Sequence, residues 1–408
     1  MLGAGIVGTS IALSLVKRGL SVTLIDRGEP GQGTSYGNSG IIEGNTVFPA
    51  AFPSRFGDLL RIALKRSSVA NYHLRFLPKL APWLAAFRAA SQPARLVETA
   101  QIMRPLMARA VSEHEALAAE AGAERHFGRR GWLKVYRTRR LFEAQKPELD
   151  LAARFGIANV ALTRDDALAL EPALNAVFSY AVHWTGAVSV DDPLAVTRAY
   201  AARFNALGGL TLAGDARSLH RSDRSWRVET DSGPVDAGDV VIALGPWSLD
   251  VLAPLGLTLP LAVKRGYHRH FRPQDNATLS RPVLDVQYGY LLAPMQQGIR
   301  LTTGVEFAPR DAPPTPVQLA RLMPAAKALF PLGQPVEPQP WLGARPCFPD
   351  SRPVIGRSPG QRGLWLAFGH GHWGLTLGPV TGRLMAEMMT GATPFCDPKP
   401  FSAERFGT

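Results

Sequence analysis

Leu2-Gly3-Ala4-Gly5-Ile6-Val7-Gly8, a helical run, and then Ser21-Val22-Thr23-Leu24-Ile25-Asp26 decide the fold of this chain. Gly3, Gly5 and Gly8 form G-x-G-x-x-G. That spacing serves a tight turn, a close backbone approach to a pyrophosphate and a close helix–strand contact. Ile6 and Val7 open a helix whose free N–H groups and positive dipole end suit phosphates. Ile11, Ala12, Leu15 and Val16 fall at helical spacing, and Gly19 stands where a helix stops. Val22 to Ile25 reads as a strand that delivers Asp26, roughly 20 residues after the glycines, to a ribose hydroxyl. Arg27 follows it. A glycine-rich turn of ordinary α/β packing is the alternative, but helix, glycine stop, strand and acid agree on dinucleotide binding. Only Met1 and Leu2 precede Gly3. For the strand that normally lies at the centre of such a sheet, either the chain start is misplaced, or residues are missing, or a short strand suffices, and this bears on the stability of the cofactor domain more than on its identity.

The chain has 408 residues and a formal net charge of +12. That length can bury a large core and suggests two or three domains. Two cysteines, Cys347 and Cys396, make no disulfide framework and no C-x-x-C, which fits a reducing compartment. No apolar run reaches the roughly 18 residues that span a bilayer. No basic stretch precedes an apolar one at the N-terminus, as a signal peptide requires. The expected location is cytoplasmic, with peripheral contact on the inner face of the cytoplasmic membrane as the alternative. The basic balance favours anionic surfaces, but the arginines are scattered and no nucleic-acid motif is present, so nucleic acid is not an expected partner.

After Asp26 comes Gly31-Gln32-Gly33-Thr34-Ser35-Tyr36-Gly37-Asn38-Ser39-Gly40, a loop by its glycines and small polar residues. Thr34, Ser35, Asn38 and Gly40 supply hydroxyls, an amide and free backbone N–H groups suited to the rest of a long cofactor. This loop, behind such a fingerprint, resembles the FAD-dependent D-amino-acid oxidase superfamily, and within it the D-amino-acid dehydrogenase branch. The resemblance extends, with gaps, over nearly the whole chain.

Residues 46–130 read as mainly helical, with apolar periodicity over 59–64, 76–87 and 102–121. Tyr72 to Trp83 is aromatic-rich and flanked by Arg75, Lys79 and Arg88. Such a helix could lie on a membrane, though packing against its own domain is the commoner use. Asp191-Asp192-Pro193 starts a helix that runs to about Leu207. Val240-Val241-Ile242-Ala243-Leu244, ending in Gly245, reads as a buried parallel strand. Strands follow over 268–271, 288–293 and 299–305. No internal repeat is visible. The fold class expected is α/β. A discontinuous Rossmann-like FAD-binding domain takes residues 1–45, 185–262 and 343–408. A substrate domain of mainly antiparallel sheet with helices takes 46–184 and 263–342.

Two late motifs carry the chemistry. Leu364 to Phe368, Gly369-His370-Gly371-His372-Trp373-Gly374 and a helix through Met388 read as strand, glycine-rich turn and helix. The resemblance implies that Gly371, Gly374, Leu375 and Thr376 lie against the flavin ring. There backbone N–H groups would stabilise negative charge on the reduced ring. It also implies that Ala216 makes a backbone contact to adenine. His370 and His372 without a nearby carboxylate or cysteine make a poor metal site, so no metal is expected. In Trp341-Leu342-Gly343-Ala344-Arg345-Pro346, Arg345 is the candidate substrate anchor, because a guanidinium grips a carboxylate with two parallel bonds. The resemblance assigns that role to the arginine of this Arg-Pro pair and gives it a tyrosine partner, matched by Tyr290 in Tyr290-Leu291-Leu292-Ala293-Pro294, with Tyr288 close by. Lys264, Tyr267 and His268 come from another strand, and Tyr267 or His268 would line the pocket.

The implied reaction is oxidation of the C–N bond of an amino acid, a D-amino acid first, by hydride transfer to flavin N5. The products are a 2-oxo acid and ammonia. The substrate amine enters neutral, and no side-chain base is required. The electron acceptor is a quinone, another carrier or oxygen. Oxidation of a secondary amine such as sarcosine, glycine or a proline derivative is the alternative within enzymes, and members acting on hydroxy compounds exist. A flavoprotein with structural FAD and no turnover is the alternative outside them. A nicotinamide enzyme is disfavoured by the second glycine-rich turn.

Overall fold

The computed structural model of the chain describes residues 1–44, 49, 51–53 and 56–407. The opening motif folds as its spacing predicts. Helix Ile6–Val16 leaves Gly5 as its N-cap, and strand Thr23–Asp26 follows. The short first strand is supplied by two residues. Leu2 bridges in parallel to Ile25 on one side and Ile242 on the other. Leu2 N–H donates to Val241 O at 2.9 Å and Ile25 N–H to Met1 O at 2.8 Å, so the stub is bonded on both edges. Strand Leu210–Ala213 extends this parallel sheet beyond Thr23–Asp26, strand Leu364–Phe368 extends it beyond Val240–Ile242, and Val354–Arg357 adds an antiparallel edge. Ile242, Leu364 and Leu366 are buried in the core beneath it. A continuous apolar run is what a strand covered on both faces requires.

Among the described residues, a second sheet has eleven strands and is mainly antiparallel. Its long strand is Ala262–Pro273, well beyond the 268–271 expected from sequence. The extra length has a non-local cause: its first half pairs antiparallel with Trp341–Cys347, far along the chain. The register sets Lys264 opposite Arg345, Gly266 opposite Gly343 and His268 opposite Trp341. Side chains alternate along a strand. Arg265 and Tyr267 therefore point the other way, where Tyr267 joins Tyr290, Leu322 and Leu329 in a core under helix Val317–Leu329. The aromatic helix Leu77–Ala90 buries Leu80, Trp83 and Phe87, so its aromatic face turns inward against Ala262 and Cys347. Among the described residues, no helix is long and apolar enough to cross a membrane.

Candidate functional site

The glycine-rich turn opens onto a cavity of about 420 Å³. Gly3, Gly5, Ile6, Val7, Asp26, Arg27, Thr34, Ser35, Asn38, Ala216, Gly245, Gly371, Gly374 and Leu375 all line it. The Asp26 carboxylate is fixed by the backbone. Oδ2 accepts Ala4 N–H at 2.7 Å and Oδ1 accepts Gly28 N–H at 3.1 Å. Further lone pairs remain for a diol. Gly5 brings no side chain to the helix end, and Ser35 Oγ accepts only the Ile6 amide, at 2.9 Å. The rest of the first turn keeps its positive end for an anion. The Arg27 guanidinium lies 5.2 Å from the Trp247 ring centroid, and Trp247 is also on the wall. Helix Gly374–Met389 presents a second N-terminus without a side-chain cap. Two open helix ends, a held carboxylate and a cavity running between them fit FAD.

A second cavity, about 370 Å³, shares Thr34, Asn38, Gly369, His370 and Gly371 with the first. Arg345, Lys264, His268, His372 and Trp341 face it. The Arg345 guanidinium lies over Gly266, where an added Cβ would sit 2.5 Å from Nη1 and 2.6 Å from Nη2. Arg345 donates only long bonds, to Gly304 O at 3.2 Å and Thr303 O at 3.4 Å. Its five N–H donors are thus mostly unspent. Burial presses its pKa down, as it does that of Lys264. His268 stacks on Trp341 with centroids 4.8 Å apart. Burial, then the charges of Arg300 and His270, push the His268 pKa down to about 2, so the ring is neutral.

The sequence expectations divide here. Tyr290 does not face this cavity. It is fully buried in the core on the opposite side of the sheet, and its hydroxyl donates to Ala325 O at 3.1 Å. Tyr267 is among the wall residues, but its hydroxyl is spent elsewhere: it donates to Glu306 Oε2 at 2.8 Å and accepts from Arg265 and from Thr315 N–H. The strand pleat explains both. Gly8, Gly40 and Thr376 stand behind the cofactor cavity and do not line it. Gly8 packs on Gly3, Gly40 on Val190 O, and Thr376 Oγ1 donates to Ile41 O at 3.1 Å. Two wall residues escaped the sequence reading. Trp247 follows directly on the strand ending at Gly245, and Trp341 opens the strand that carries Arg345. An aromatic beside each motif was the available signal.

Behind the second helix end lies His114, fully buried, whose Nε2–H donates to Leu375 O at 2.6 Å. Burial lowers its pKa from 6.5 to about 4, against the raising effect of that bond. The unfolded chain therefore takes up this proton at higher pH than the folded one. Stability is complete above about pH 6.5 and falls as pH drops toward 4, with a slope of about 1.4 kcal/mol per pH unit for each such group. His268 and His370, both buried, act in the same sense. The thermal midpoint is expected to fall steeply between pH 6.5 and 4.5, and less steeply in His114→Gln. Identical slopes in the two proteins would show that His114 is not neutral in the fold.

Residues 2–388 match the family described as FAD dependent oxidoreductase (DAO). The chain is 31% identical to a D-amino-acid oxidase of Bradyrhizobium diazoefficiens, with 100% of this chain and 98% of that protein covered. It is 30% identical to D-amino acid dehydrogenase 2 of Ralstonia nicotianae, with 99% of each covered. Among solved structures, glycine oxidase from Geobacillus kaustophilus superposes with a TM-score of 0.75 at 23% identity, over 99% of this chain and 97% of that one. At that identity the structure speaks for the fold.

Proposed function

The chain belongs to the FAD-dependent oxidoreductase (DAO) family, and from that premise we propose that it oxidises a D-amino acid at the Cα–N bond, giving a 2-oxo acid and ammonia. FAD is its cofactor and, when bound, supplies the two-electron acceptor for the hydrogen leaving Cα. One observation carries the reading: a cavity suited to FAD meets a second, cationic cavity across Gly369, His370 and Gly371. The names of the two sequence relatives favour a D-amino acid as the substrate.

Arg345 holds the α-carboxylate as a two-pronged donor. The Arg345 charge disfavours an ammonium beside it, so the substrate amine sits neutral with its lone pair free to assist. His268 and Trp341 form a flat wall that excludes water and orients the side chain. The imino acid product is hydrolysed by water. The proposed FAD domain comprises 1–45, 185–262 and 343–408, and the substrate domain 46–184 and 263–342.

The test is spectroscopic. Without oxygen, D-amino acids are expected to bleach the bound flavin, whereas L-amino acids and N-methyl amino acids are not. A bound flavin that no amino acid bleaches would overturn the reading. Readmitted oxygen then separates an oxidase, which recolours quickly, from a dehydrogenase that needs a quinone or another carrier.

A further inference from the structure

We propose that the second cavity is built for an amino acid bearing two carboxylates, and that Lys264 is the residue that selects the second one. This rests on the amine-oxidation reading, in which Arg345 takes the α-carboxylate.

Lys264 and Arg345 are direct cross-strand partners on one face of the sheet. Residues so placed have Cβ atoms roughly 4.5–5.5 Å apart, and like charges there repel. Both face the same cavity, and Lys264 is only 9% exposed. Among the described residues, no aspartate or glutamate lines that cavity, and neither cation has a carboxylate partner. Cys347 lies beside them, but burial pushes its thiol pKa up, so no thiolate offsets the charge. The ammonium of Lys264 rests 4.2 Å from the Phe87 ring centroid and 4.9 Å from that of Trp83. Aromatic faces compensate a desolvated cation only in part.

Buried like charges without counter-ions are unfavourable unless a ligand supplies the opposite charge. His268 is 1% exposed and lines the cavity beside Lys264, with the Gly37 backbone as the near partner of its ring. Two cations on one wall, with no acidic side chain opposite them, match a dianion better than a monocarboxylate.

Acid and amide pairs of equal shape test this on the holoenzyme. D-glutamate is expected to exceed D-glutamine, and D-aspartate to exceed D-asparagine, by at least about 10-fold in kcat/KM, since only the acid pairs with the buried cation. Lys264→Met is expected to remove that preference while moving the amides less than about 3-fold, and Lys264→Arg to retain it. Calorimetry on the oxidised protein supplies a readout without turnover, with succinate binding at least about 10-fold more tightly than butyrate in the wild type but not in Lys264→Met. Iminodiacetate in the same panel places the second carboxylate on the nitrogen rather than the side chain if it alone is oxidised. Amides used as well as acids, or a Lys264→Met loss shared equally by both, would overturn the proposal. If succinate discriminates but no amino acid bleaches the flavin, the dianion site stands and the amine-oxidation reading falls.

Discussion

Arg345→Met is expected to lower kcat/KM for every α-amino acid substrate by about 10²–10³-fold while leaving the thermal midpoint unchanged or raised. The two effects have one cause. In the free protein Arg345 is desolvated, faces Lys264 across the strand pair, and is bonded only to the Gly304 and Thr303 carbonyls. The fold thus gains little from its charge, and an apolar side chain of similar length removes a repulsion. The substrate complex is different. A carboxylate that has left water for a site walled by Trp341, His268 and Gly266 loses its only two-pronged donor. Removing one member of a buried charge pair typically costs about 2–5 kcal/mol. Most of the loss is expected in KM, because the α-carboxylate is bound equally in ground state and transition state. A smaller part falls in kcat through misorientation of Cα. Arg345→Lys should recover only part of the activity, since an ammonium keeps the charge but not the planar fork. Steady-state kinetics with thermal melts on the same preparations decide the matter. A change below about 3-fold would assign the α-carboxylate to another cation.

What the sequence made legible was local. The glycines, the helix behind them, the strand ending at Asp26 and the strand–turn–helix from Leu364 to Met389 each announce themselves within a short window, and each is found where its spacing predicts. The directions of Tyr267 and Tyr290 depend on distant pairing. Lys264, Gly266 and His268 alternate with Arg265 and Tyr267 in a way that any reader can write down. Which of the two sets faces the cavity is decided by Trp341–Cys347, which arrives much later in the chain. Tyr290 was assigned on a Tyr-x-x-x-Pro match, which fixes no side-chain direction, and the pleat turned it into the core. The opening strand shows the same dependence in reverse. Met1 and Leu2 are held by both neighbouring strands, 23–26 and 240–242, and those bonds are not visible in the two residues themselves.

Gly8→Ala is expected to yield a protein that has lost its cofactor, although Gly8 does not line the cofactor cavity. A Cβ at Gly8 would lie 1.9 Å from Gly3 O, 3.1 Å from Gly3 C and 3.2 Å from the Ala243 Cβ. None of these can yield easily. Gly3 N–H is bonded to Ile25 O at 2.9 Å, and Ala243 N–H to Leu2 O at 2.8 Å, so the obstacle is the backbone of the sheet. Helix Ile6–Val16 must therefore lift away from it. That movement re-aims the first-turn amides and disturbs the Ala4 N–H bond that holds Asp26 Oδ2. Overpacking of this kind costs about 1–3 kcal/mol. The anion site at the helix end loses its geometry as well. The expected result is a thermal midpoint several degrees lower and an FAD affinity of the apoprotein reduced by at least about 10²-fold in a fluorescence titration. Gly57→Ala is the matched control. It lies in helix Phe56–Ala63 and, among the described residues beyond its chain neighbours and its own helical turn, no atom comes within 4 Å of the added Cβ, so the same substitution should there be neutral or slightly stabilising. If Gly8→Ala instead purifies yellow with an unchanged midpoint, the helix is not seated on Gly3 by this contact, and the cofactor end of the fold has more freedom than its packing implies.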